Sequence, residues 1–210
     1  VTAEHTNSAS ASSSHPLSAA FIREIESEFP DFRIVPKAGD PLSKAIDVAL
    51  RTLTVGKQDR YLSEYHTVLG YKLYVPQSWE RLDDLGRVIL LRHERVHLRQ
   101  RRRYGAALMT FLYLVPFAPL GLAWGRARIE WEAYTETLRA TAELRGLAAA
   151  KSSALRAEII GRFSGPDYGW MWPFPAQLGR WYDGVIEQIE RERQGKAPPP
   201  MDTRSETHAR

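Results

Sequence analysis

The sequence predicts an α+β fold that is mostly helical, with a small β-sheet followed by two long helices. Three observations carry that prediction. Apolar and small residues recur at helical spacing through 78–105 and again through 122–145. Two short runs of β-branched and aromatic residues flank Gly70. The chain has 210 residues, of which 43% are hydrophobic and none is cysteine. That length suits one domain with a sizeable core. The lack of cysteine excludes disulfides, thiolate metal sites and cysteine nucleophiles, so any metal must be held by His, Asp or Glu.

In chain order, residues 1–14 are rich in Ser, Ala and Thr and read as a disordered tail. They have neither a basic start nor an apolar run, so they do not read as a signal peptide, and a cytoplasmic location is expected. A single domain is expected over 15–193, followed by a second disordered tail over 194–210 that begins with Pro198-Pro199-Pro200 and polar neighbours. Leu17 to Phe29 reads as an amphipathic helix with Phe21, Ile22, Ile25 and Phe29 on one side, ended by Pro30. Phe32 to Val35 is a short strand. Asp40-Pro41 offers an N-cap and a first-turn proline for a helix to about Leu53, with Ile46, Val48, Ala49 and Leu53 buried. Tyr65 to Leu69 and Tyr71 to Val75 then form a hairpin or two short adjacent strands, either an ordinary part of the sheet or an exposed edge able to pair with an extended peptide.

The next helix is expected to start at Ser78 and end near Gly105, and it contains Arg92-His93-Glu94-Arg95-Val96-His97. On a helix, histidines four residues apart lie one turn apart on the same face, where both imidazoles can grip one metal ion. Glu94 follows the first of them, placed to act on water without occupying a metal position. Gly86, Leu90, His93, His97, Gln100 and Tyr104 share one stripe, so the histidines face inward. Arg92, Arg95, Arg99 and Arg102 share another, which reads as a solvated face. Arg99, Arg101, Arg102 and Arg103, clustered just after the motif, account for much of a net charge of +4. Such a run can touch phosphate or anionic lipid, although no nucleic acid is expected as a partner.

Residues 106–124 are almost wholly apolar, interrupted by Thr110, Pro116, Pro119 and Gly121. A membrane span needs roughly 20 such residues. The mid-segment prolines argue against a crossing, as does the need to keep His97 and the third ligand on one side. A short helix, a proline turn and the start of another helix are expected, forming a hydrophobic wall near the site or a peripheral contact with a membrane or apolar partner. The following helix, 122–145, closes at Gly146. Its Glu132, Glu136, Arg139 and Glu143 fall on one charged stripe, read as solvated, and Glu130, Ala133, Thr137, Ala140 and Leu144 on another that would admit a close neighbour. A carboxylate on that buried face needs a partner, so Glu130 rather than Glu132 is the expected third metal ligand. Helices over 152–163 and 176–193 follow. The aromatic loop between them, 164–175, is expected to be pinned into the core by its rings or to line a cleft with Tyr168 as a donor.

The residues His93-Glu94-Arg95-Val96-His97 and Glu130-Trp131-Glu132-Ala133 resemble the gluzincin metallopeptidases, which place H-E-x-x-H on one helix and E-x-x-[AS]-D on a second. The likeness covers roughly 85–139. It departs at Tyr134, where the family usually has an aspartate bound to a ligand histidine, and at Arg95, where many relatives have an aliphatic residue. The resemblance implies a zincin-like domain in which His93, His97 and Glu130 bind Zn2+ and Glu94 is the general base that activates water against a peptide or protein substrate. Tyr168, Tyr134 and His66 are the candidates for oxyanion stabilisation or for support of a ligand. The alternative is a non-catalytic binding or structural protein with a gluzincin-like fold.

Overall fold

The computed structural model describes residues 15–37, 66–114, 123–165 and 171–196. Both expected tails through residue 14 and beyond 196, the helix expected over 40–53, Tyr65, the proline turn at 115–122 and Tyr168 lie outside the described residues. Within them the protein is mostly helical, with seven α-helices and a three-stranded mixed sheet.

Helix α1 (Pro16–Glu28) starts on a proline, whose fixed φ suits the first turn. Its Leu17 and Ser18 amides donate to the Asp84 carboxylate at 2.8 Å each, a cap supplied from the start of the motif helix. Strand β1 (Arg33–Pro36) follows. Strands β2 (Thr67–Leu69) and β3 (Lys72–Val75) form an antiparallel hairpin with Thr67 opposite Tyr74, turning through Gly70 at φ 68°. β1 pairs in parallel with β3, so the order β1-β3-β2 leaves β2 at an edge. This register brings Lys37, just past β1, and His66, just before β2, to the same end of the sheet.

The motif helix begins later than the sequence suggested. Ser78 lies in a 3-10 turn (Gln77–Arg81), and Leu82 is extended. Helix α2 (Asp84–Tyr104) is instead capped by Asp83, whose carboxylate accepts from the Gly86 amide at 2.8 Å. A carboxylate next to the positive helix terminus outcompetes a serine further back. Gly105, at φ 80°, ends α2 in a conformation that a side chain would strain. Helix α3 (Ala106–Leu114) follows at once.

Helix α4 (Trp124–Leu144) passes α3 closely, because a Cβ on Gly125 would meet the Leu112 side chain at 2.7 Å. After Gly146 come the single turn α5 (Leu147–Ala150), α6 (Ser153–Ser164) capped by the Ser152 hydroxyl, and α7 (Pro175–Lys196). The last helix therefore extends past Gln194, where a tail was expected.

Two apolar clusters result. One joins α1, the sheet, Trp79 and the Leu91 and Leu98 face of α2. The other joins α4 to α7 with Met171. Leu91, Leu98 and Leu138 are fully buried, each contributing about 2 kcal/mol of transfer free energy. Helices α2 and α4 pack where these clusters meet, with Ala133 and Ala140 fully buried, the close approach that the small-residue stripe predicts.

The two charged stripes are not simply solvated, as the spacing alone suggested. Arg92 reaches Glu136 and Glu143 on α4 at 2.6 Å each. Arg95, Arg99 and Arg102 converge on Glu28 of α1 at 2.7 to 3.0 Å, and Arg95 also reaches Glu24. Helices pack beside both stripes, so their charges pair with one another while part of each stripe stays in water. Arg95, the departure from the gluzincin pattern, thus ties α2 to α1.

Candidate metal centre

At the α2–α4 contact, His93 Nε2, His97 Nε2 and Glu130 Oε2 form a compact triangle. The two nitrogens are 3.2 Å apart, and the carboxylate oxygen is 3.6 Å from the first and 3.7 Å from the second. Donors at tetrahedral bond lengths of about 2.0 Å should be about 3.3 Å apart. The circumradius of the observed triangle places a point about 2.0 Å from all three atoms, within the range of Zn–N and Zn–O bonds. These three residues form the only group among the described residues with a metal-ligand arrangement. Glu130 is 3% exposed, as expected of the buried carboxylate. Glu132 is half-buried and does not join the triangle.

Hydrogen bonds behind the ligands orient both rings. The Thr137 hydroxyl donates to the Ala133 carbonyl, so its oxygen accepts from His93 Nδ1–H at 3.0 Å. The Gln100 amide donates to the Ile129 carbonyl and to Glu132, which leaves its oxygen to accept from His97 Nδ1–H at 3.0 Å. Each imidazole therefore turns Nε2 toward the shared point, as ligand histidines require. Sequence reading had not assigned Thr137 or Gln100 a role. A signal existed, since Gln100 is on the stripe of the histidines and Thr137 on the stripe of Glu130. Tyr134, considered for this supporting role, makes a T-shaped ring contact with His93 with centroids 4.8 Å apart, and has Phe163 as a further ring neighbour at 5.4 Å.

The electrostatics suit a cation. Burial opposes ionisation of Glu130, but His97 and His93 prevail and hold its carboxyl well below the usual range. Burial likewise disfavours a charged His97, yet the Glu130 carboxylate raises its pKa to about 9. Without an ion, the cluster therefore keeps a proton that a cation must displace. Glu94 is buried, and desolvation pushes its carboxyl up against the opposing pull of His93, His97 and Lys37. No hydrogen bond among the described residues occupies that carboxylate.

His66 packs edge-on to Trp79, and its Nε2 is buried with no hydrogen-bond partner among the described residues. Burial, followed by the fields of Lys37, Arg162 and His93, lowers its pKa to about 4, so the ring is neutral at pH 7. Lys37, fully buried at the same end of the sheet, had no role in the sequence reading.

No family model matches the chain, and no curated protein or solved structure matches it either. The functional reading therefore rests on the site itself.

Proposed function

We propose that this protein is a zinc-dependent metallopeptidase with Glu94 as its general base. The observation that carries the reading is the triangle of His93 Nε2, His97 Nε2 and Glu130 Oε2, with Glu94 next to it in the chain and facing the same charges. Two imidazoles and one carboxylate are the donor set of catalytic zinc, which keeps a fourth position open. No fourth protein donor joins the group among the described residues, which favours catalysis over a closed structural site. When bound, zinc lowers the pKa of water toward about 7 and polarises a carbonyl oxygen. Glu94 accepts the proton of the attacking water and returns it to the leaving amine nitrogen. Its raised pKa brings it closer to the working pH of such an exchange. Thr137 and Gln100 keep the ligand rings oriented. His66, neutral and with a spare buried nitrogen, is the best-supported donor to a developing oxyanion.

The test compares bound zinc and peptide cleavage in the wild type, Glu94→Gln and Glu130→Ala. Glu94→Gln should keep zinc and lose about 10²- to 10⁴-fold in kcat. Glu130→Ala should lose zinc. A wild type that stays metal-free in excess zinc would overturn the reading. If the wild type binds zinc but cleaves no peptide, the non-catalytic alternative replaces it.

A further inference from the structure

Helix α3 is almost wholly apolar in sequence, and its described side chains divide between buried and exposed. Met109 and Leu112 turn inward, Leu112 lying on Gly125 of α4. Leu108 and Phe111 turn outward, 45% and 56% exposed, and Trp124 at the start of α4 is 51% exposed. Between α3 and α4 runs a groove of about 290 Å³ whose lining includes Tyr104, Leu108, Leu112, Trp124, Arg128 and Glu132, the last accepting a hydrogen bond from Gln100. Contiguous exposed apolar surface of this kind marks an interaction site.

The rim indicates which partner fits. Arg128 borders the groove and is exposed, and the exposed Arg103 guanidinium stacks over the Tyr104 ring at 5.3 Å. Unlike Arg92, Arg95, Arg99 and Arg102, these two have no carboxylate partner among the described residues. Between them the sequence has no charged residue from Tyr104 to Gly125. An apolar wedge bordered by unpaired arginines matches a bilayer whose acyl boundary lies beneath anionic headgroups. No helix among the described residues is long and apolar enough to cross a membrane, so the contact is with the surface.

We propose that α3 and the first turn of α4 dock on an anionic lipid surface, with Leu108, Phe111 and Trp124 entering the acyl boundary and Arg103 and Arg128 lying at headgroup level. This contact does not depend on a metal or on catalysis.

The test is flotation of the full chain with phosphatidylcholine vesicles, with and without phosphatidylglycerol. Binding is expected with phosphatidylglycerol and should weaken as salt rises. Arg103→Glu with Arg128→Glu should reduce it by roughly tenfold or more, and Leu108→Glu with Phe111→Glu should abolish it. All four residues are exposed, and circular dichroism checks the fold of each variant. Quenching of tryptophan emission by brominated lipid, compared between wild type and Trp124→Phe, reports insertion without a charge change and should fall in the variant. Absence of binding to phosphatidylglycerol vesicles, or equal binding by the glutamate variants, would overturn the proposal. So would self-association that Phe111→Glu abolishes without any vesicle binding, since the face would then seat a second copy of the chain.

Discussion

On one side of α2, His93, His97 and Gln100 meet α4 largely out of water, whereas on the other Arg95, Arg99 and Arg102 reach Glu28 and Glu24 of α1, with Arg99 and Arg102 half-exposed to solvent. Both stripes are polar and both join helices. Their partnerships differ in kind. On the buried side each ring nitrogen has its own role, either toward the shared point or toward Thr137 or Gln100, and losing a partner strands a polar atom at low dielectric. On the arginine side Glu28 is shared by three guanidiniums, so any one can leave while the others and water remain. Sheltered groups therefore give the site its geometry, while shared surface charges hold a helix in place with redundancy.

The largest effect that tests this contrast is on metal affinity. Gln100→Leu and Thr137→Val remove the acceptors behind His97 and His93, and each should weaken zinc binding by about 10- to 100-fold. Competition with a coloured chelator measures this. Unchanged affinity in both variants would mean that the ring orientation comes from packing alone.

Next in size are pH effects, which should appear at opposite ends of the scale. In metal-free protein, the pKa of His97 rises from 6.5 to about 9 on folding. Its contribution to stability is therefore fully present below pH 6.5 and lost as pH rises through about 9. Bound zinc displaces that proton, so the loaded protein should not show this loss, and zinc affinity should increase with pH up to about 9. Hydrogen bonds from Arg99 and Arg95 lower the pKa of Glu28 from 4.5 to about 2. Its contribution is present above pH 4.5 and lost as pH falls toward 2. Thermal melts across pH, with and without zinc, distinguish the two sides. Identical alkaline profiles for both forms would separate His97 from the metal site.

The smallest effect belongs to the arginine side. Arg99 is half-exposed in its ion pair, so Arg99→Ala should cost less than about 1 kcal/mol in urea unfolding and leave zinc affinity unchanged. Weakened zinc binding in that variant would show that the two sides of α2 are coupled.

Several features were legible in the chain alone. The mostly helical α+β class, the β2–β3 hairpin turning at Gly70, and the separation of Glu130 from Glu132 all follow from local periodicity, because a helix or strand repeats its faces whatever it packs against. Other features depended on residues distant in sequence. The parallel pairing of β1 with β3 places Lys37 and His66 at one end of the sheet, although they are far apart along the chain. Asp83 rather than Ser78 starts α2, a choice made by which side chain reaches the Gly86 amide. Periodicity placed the arginines and glutamates on faces but could not say that α1 would arrive to pair with Arg95, Arg99 and Arg102. The sequence by itself determined which residues share a face, since that is set by backbone geometry within one element. Only the tertiary structure decided which faces meet, and with them the roles of Thr137 and Gln100, because a hydrogen bond between helices exists only after both have packed.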